Sequence, residues 1–176
     1  MTCAKCRQHI GQPTAECVCP LCGFNLRPLR TRLMTLYAIT TGFFLSTLAY
    51  VAIVYFLSAS LQPRQPLAGQ EIITYSLLVL AVLVFGIAIK VGQRLPLTKS
   101  MNQLQTLFLV KMALIESIAI YGLLIYVLFA SMQWFAVFLG LSLVGFMQTA
   151  SQMPQVAEQL ARLAVLEDQA EQLKRS

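Results

Sequence analysis

Acidic side chains are nearly absent from the middle of this chain. Between Ile72 and Ala157 there is one, Glu116, alongside four bases: Lys90, Arg94, Lys99 and Lys111. Charged residues make up 11% of the 176 residues, against about 25% in soluble domains. Aspartate occurs once, as Asp168, and histidine once, as His9; neither lies in an apolar run. No nucleophile–base constellation and no phosphate-binding glycine loop can be assembled from such a set. Enzymatic function is therefore not expected. Cysteine is also missing from everything after Cys22.

What remains is hydrocarbon. The chain is 57% hydrophobic, with a mean hydropathy of +0.70. About 20 apolar residues cross a bilayer, and spans are expected at 33–57, 72–90, 107–130 and 133–150. Gly140 and Gly145 interrupt the last, which is the shortest. Spans three and four are joined only around Ser131-Met132 and must form an antiparallel hairpin. A cleaved secretory signal does not fit, because the polar, Cys-rich start is too long for its charged leading region.

Lys and Arg near the span ends set the orientation. With the N-terminus inside, 11 of the 13 bases fall on inner segments; only Arg64 lies outside, and Lys111 sits in the third span. Both termini are expected in the cytoplasm, with a bacterial inner membrane as the location. The bases hug the membrane instead of forming a separate patch, so nucleic acid is not an expected partner.

The five cysteines occupy positions 3, 6, 17, 19 and 22. Cys3-Ala-Lys-Cys6 and Cys19-Pro-Leu-Cys22-Gly23 are two Cys-x-x-Cys pairs with twelve residues between them. Each pair can converge two thiolates, and two pairs complete a tetrahedral shell for structural zinc. Gly23 suits a tight turn that needs positive φ. A polar segment this short buries too little apolar surface to fold alone, and a bound metal supplies what is missing. The catalytic-dithiol alternative has no thioredoxin-like strand and helix around it, and a cytoplasmic location disfavours stable disulfides. Cys17 can substitute for Cys19, and His9 is a further possible donor. The second pair, "CPLCG", resembles the zinc-ribbon family over residues 1–26, which implies a metal site and leaves function open.

Glu116 lies nine residues from Leu107, which puts it about 13 Å into the third span. Charged groups at that depth are costly and tend to be functional. Lys111 is about 6 Å from the same end and is expected to snorkel to the headgroups. The two are five residues apart, about 140° around the helix, and should not pair. A structural hydrogen bond from Glu116 to Ser142, Gln133 or Tyr126 is one expectation. An ion or proton site is the second, and docking to a cation of another membrane protein the third.

The segment "ALIESIAIYGL", Ala113–Leu123, resembles the carboxylate helix of the rotary ATP synthase c subunit (proteolipid) family. The resemblance extends over residues 75–129 and includes Arg94 before Pro96 in the preceding loop. It implies that Glu116 takes up and releases an ion, with Ser117 and Tyr121 at positions seen in sodium-binding members. The second span departs from that family. It is mainly Leu, Val and Ile, with no polar side chain at mid-depth to complete a site. The family's inner helix is glycine-rich, which lets helices pack closely.

Pro154 suits the first turn of a helix. After it, Val156, Leu160, Leu163, Leu166 or Glu167, Ala170 and Leu173 form a stripe over residues 154–175. A short coiled coil, and with it a homo-oligomer, or a helix on the membrane face is expected. The whole reads as an all-α membrane protein: four transmembrane helices over 33–150, an N-terminal zinc ribbon over 1–26 and a cytoplasmic amphipathic helix. The expected role is an adaptor, assembly or regulatory subunit partnered with the bilayer and other membrane proteins. The alternative is a c-subunit-like proton or ion translocation component using Glu116.

Overall fold

The computed structural model of the protein describes Cys19, Cys22 and residues 27–60, 69–98 and 100–175. Four α-helices account for most of this chain: α1 Arg27–Ser60, α2 Gln70–Arg94, α3 Met101–Phe129 and α4 Met132–Arg175. A single 3₁₀ turn, Leu95–Leu97, follows α2, and Pro96 sits where its missing N–H does no harm. No strand occurs among the described residues. All four helices are long and apolar enough to cross a membrane, as a multi-pass membrane protein requires.

α3 is the central element. Its buried positions, from Met101 and Leu104 through Phe108, Met112, Ile115 and Ala119 to Ile125 and Tyr126, run along nearly its full length. α4 packs against it most extensively, then α2, then α1. α1 and α2 share no interface; each lies against the α3–α4 pair. α2 turns one narrow stripe inward, Thr74, Ala81, Val84, Ala88 and Gly92, at steps of seven, three, four and four residues that keep to one helix face. Its other faces, including Val79 and Leu83, are exposed and apolar, as are Tyr55, Phe56 and Met147 elsewhere. Such a surface is at home in lipid and unstable in water.

The α3–α4 hairpin turns in two residues, Ala130 and Ser131. Ala130 adopts the left-handed conformation at φ 54° and donates its N–H to Tyr126 O at 2.7 Å, closing the helix end. The glycines of α4 then acquire distinct meanings. A Cβ on Gly145 would come 2.9 Å from Ile115 Cγ2, so its bareness allows close approach to α3. Gly140 has nothing within 4 Å.

α4 differs from the expected separate span and tail. It is one 44-residue helix with Pro154 inside it. The proline removes a backbone donor and would break an isolated helix, but the buried Met153 and Val156 on either side hold both halves against the bundle. The tail stripe is buried at Val156, Leu160 and Leu163, whereas Leu166 and Leu173 are 59% and 77% exposed.

Candidate functional site

Glu116 and Lys111 of α3 each anchor a polar cluster in the hydrocarbon-rich bundle. Glu116 turns toward α1. There the Tyr50 hydroxyl donates to Glu116 Oε1 at 3.0 Å, and Ser46 Oγ donates to the Tyr50 hydroxyl at 3.1 Å. Ser46 and Tyr50 are four apart on α1 and so share a face. The result is a relay of two hydroxyls and a carboxyl between two helices. No base of the described chain pairs with Glu116.

None of the expected partners reaches it. Ser142 Oγ instead donates to the backbone carbonyl of Ile115 at 3.1 Å. Tyr126 is buried with its ring 6.1 Å from that of Phe135. Gln133 is exposed in the first turn of α4. The reason is rotational: Ile115, Ala119 and Gly122 occupy the face of α3 turned to α4, and Glu116 lies beside that face. Ser117 Oγ donates to Leu114 O of its own helix at 2.7 Å, and Tyr121 packs against the cluster of Ala81, Val84 and Ile118. Neither is hydrogen-bonded to Glu116.

Sequence reasoning missed Tyr50 for a geometric reason. Counted from the ends of the apolar runs, Tyr50 lies about 25 Å deep and Glu116 about 13 Å. The helices are offset along their axes, and an aromatic side chain on a helix leans back toward the N-terminus, which closes much of the gap. A usable signal existed: Tyr50 and Ser46 at an i, i+4 spacing inside the first span.

Lys111 forms the second cluster. It does not snorkel; it is 1% exposed, and its ammonium donates to Gln152 Oε1 of α4 at 2.5 Å. Gly92 of α2 makes room: a Cβ there would lie 3.0 Å from Lys111 Nζ and 3.2 Å from Gln152 Oε1. A missing side chain on one helix and an amide acceptor on another draw the lysine inward. Lys111 and Glu116 do not pair, because each is held by a different helix.

At the end of the bundle where α1 begins, Cys19 is 1% exposed and Cys22 is partly buried. Cys19 belongs to a cluster that includes Leu36 of α1, Leu95, Leu104 of α3 and Leu160 of α4. Nearby, Arg32 donates to Asn102 Oδ1 at 3.0 Å, joining α1 to the start of α3. Cys3, Cys6, Cys17 and His9 lie outside the described residues. Among the described residues no three metal-binding side chains come together. No protein-family model, no curated protein and no solved structure matches the chain.

Proposed function

We propose that the chain is a non-enzymatic membrane protein of a bacterial inner membrane. It presents its cysteine-rich segment and the end of α4 together, as a cytoplasmic docking platform for a subunit of another membrane complex. One observation carries this reading: Cys19 is buried in the same cluster as Val156, Leu160 and Leu163 of α4. Cys19 and this stretch of α4 therefore belong to one packed unit, beside which Leu166 stays exposed for a partner or a second copy. Cys3, Cys6, Cys19 and Cys22 would hold a structural zinc, with Cys17 as a possible substitute. A closed four-thiolate shell has no open position for substrate, so the ion's contribution is rigidity.

Changing Cys19 and Cys22 to serine together is expected to lower zinc content from one ion per chain and to release a co-purifying partner. The helices should still insert. The decisive measurement is co-purification followed by mass spectrometry. An unchanged partner set from the doubly substituted protein sinks the platform reading.

A second reading, proton or ion translocation, is favoured by the Ser46–Tyr50–Glu116 relay, since a mid-span carboxyl with hydroxyl neighbours can exchange protons. On this reading Glu116→Gln abolishes flux in reconstituted vesicles and reactivity toward a carbodiimide. Tyr50→Phe keeps the carboxyl but alters flux. A native protein with neither flux nor carbodiimide modification refutes it.

A further inference from the structure

The end of α2, the start of α3 and the middle of α4 border a shallow, open cleft. Its wall includes Gly92, Leu95, Leu104, Gln152, Gln155 and Gln159. All three helices change character here. Gly92 is followed by Gln93 and Arg94, and the apolar run of α4 ends at Ala150, just before Gln152. The cleft therefore sits where hydrocarbon gives way to headgroups.

Lys111 lies immediately behind this wall, bonded to Gln152 and beside Gly92. It is a buried cation with no acidic partner in the described chain. A buried charge without compensation is expensive. An ammonium has three donors, and among the described residues one acceptor is hydrogen-bonded to it, the Gln152 amide oxygen. That bond also fixes the amide: with its oxygen committed to Lys111, the nitrogen of Gln152 is the end left for the cleft. Gln155 and Gln159 add further amide donors to the wall, and Lys90 and Arg94 are exposed on the last turns of α2.

We propose that this cleft binds the phosphate of an anionic phospholipid. At its mouth the amides donate to the phosphate oxygens, and Lys111 provides the compensating charge through Gln152. Basic pockets between membrane helices at headgroup level recognise lipids in this way.

The test uses the full chain reconstituted in nanodiscs of phosphatidylcholine with or without phosphatidylglycerol. Lipid retained on the protein is read by native mass spectrometry, and the unfolding temperature in parallel. The wild type is expected to enrich phosphatidylglycerol about fivefold over the bulk lipid, and to unfold at a higher temperature when it is present. Lys111→Met should lose that preference. So should the double variant Gln155→Leu, Gln159→Leu, which changes only the mouth and decides the matter alone if Lys111→Met does not fold. Equal retention of neutral and anionic lipid by the wild type overturns the proposal, as does a preference that survives both sets of changes. Inorganic phosphate added to neutral nanodiscs separates the sources. Full protection by phosphate alone would assign the cleft to a free anion and overturn the lipid assignment.

Discussion

Gly122→Ala is expected to destabilise the protein by about 1–3 kcal/mol, the range for overpacking a close contact. The added carbon would stand 2.8 Å from Phe138 Cβ and 3.3 Å from the Phe135 carbonyl oxygen. Neither neighbour is the end of a flexible side chain. Phe138 is fully buried, so α3 and α4 must move apart along their largest interface. Helix association in a membrane depends on van der Waals fit more than on expulsion of water, which makes such a gap costly. Gly145→Ala, 2.9 Å from Ile115 Cγ2, should be the next most damaging. Gly140→Ala and Gly86→Ala meet nothing within 4 Å and should be neutral or, through helix propensity, slightly stabilising. Reversible unfolding in mixed micelles gives the ranking. Equal stabilities for Gly122→Ala and Gly140→Ala would show that the hairpin is not packed as described.

The second large effect is an asymmetry between two partners in one hydrogen bond. Gln152→Leu strands the Lys111 ammonium without its acceptor and should cost about 2 kcal/mol, typical of a lost bond to a charged group. Lys111→Met removes the charge with it and leaves a side chain of similar length in the same space. That change should be close to neutral or stabilising, as replacing buried charges by apolar groups often is. The same unfolding measurement separates the two. If Lys111→Met is the worse variant in a bilayer of neutral lipid, the lysine contributes something that its bond to Gln152 does not account for.

The spans were legible because their signal is additive: twenty apolar residues outvote any single glycine or hydroxyl. Rotation and axial offset are set by neighbours and have no comparable signature. Glu116 was recognised as unusual from its depth, yet its partner, Tyr50, comes from a helix whose apolar run starts at a different level. Lys111 misled for a related reason. Its distance from the span end suits snorkelling, and only the juxtaposition of Gly92 and Gln152, 60 residues apart in sequence, pulls it inward. Gly145 looked like an interruption and proves to be a contact. Pro154 looked like a beginning; tertiary packing at Met153 and Val156 overrides its local preference.

That last difference has a mechanical consequence. Since α4 is helical from the hairpin turn to Arg175, no loop separates its apolar first half from its far end. A 44-residue helix is about 66 Å long, so a tilt of about 10° at the hairpin carries the other end sideways by roughly 11 Å. Rotation about the axis is transmitted too, because Ser142 in the bundle and Leu160 in the cluster of Cys19 stand on one helix, whose hydrogen-bond ladder lacks the N–H of Pro154 between them. α4 is in this sense a lever, with the α3–α4 contact at Gly122 as its fulcrum and Pro154 as its one built-in point of compliance.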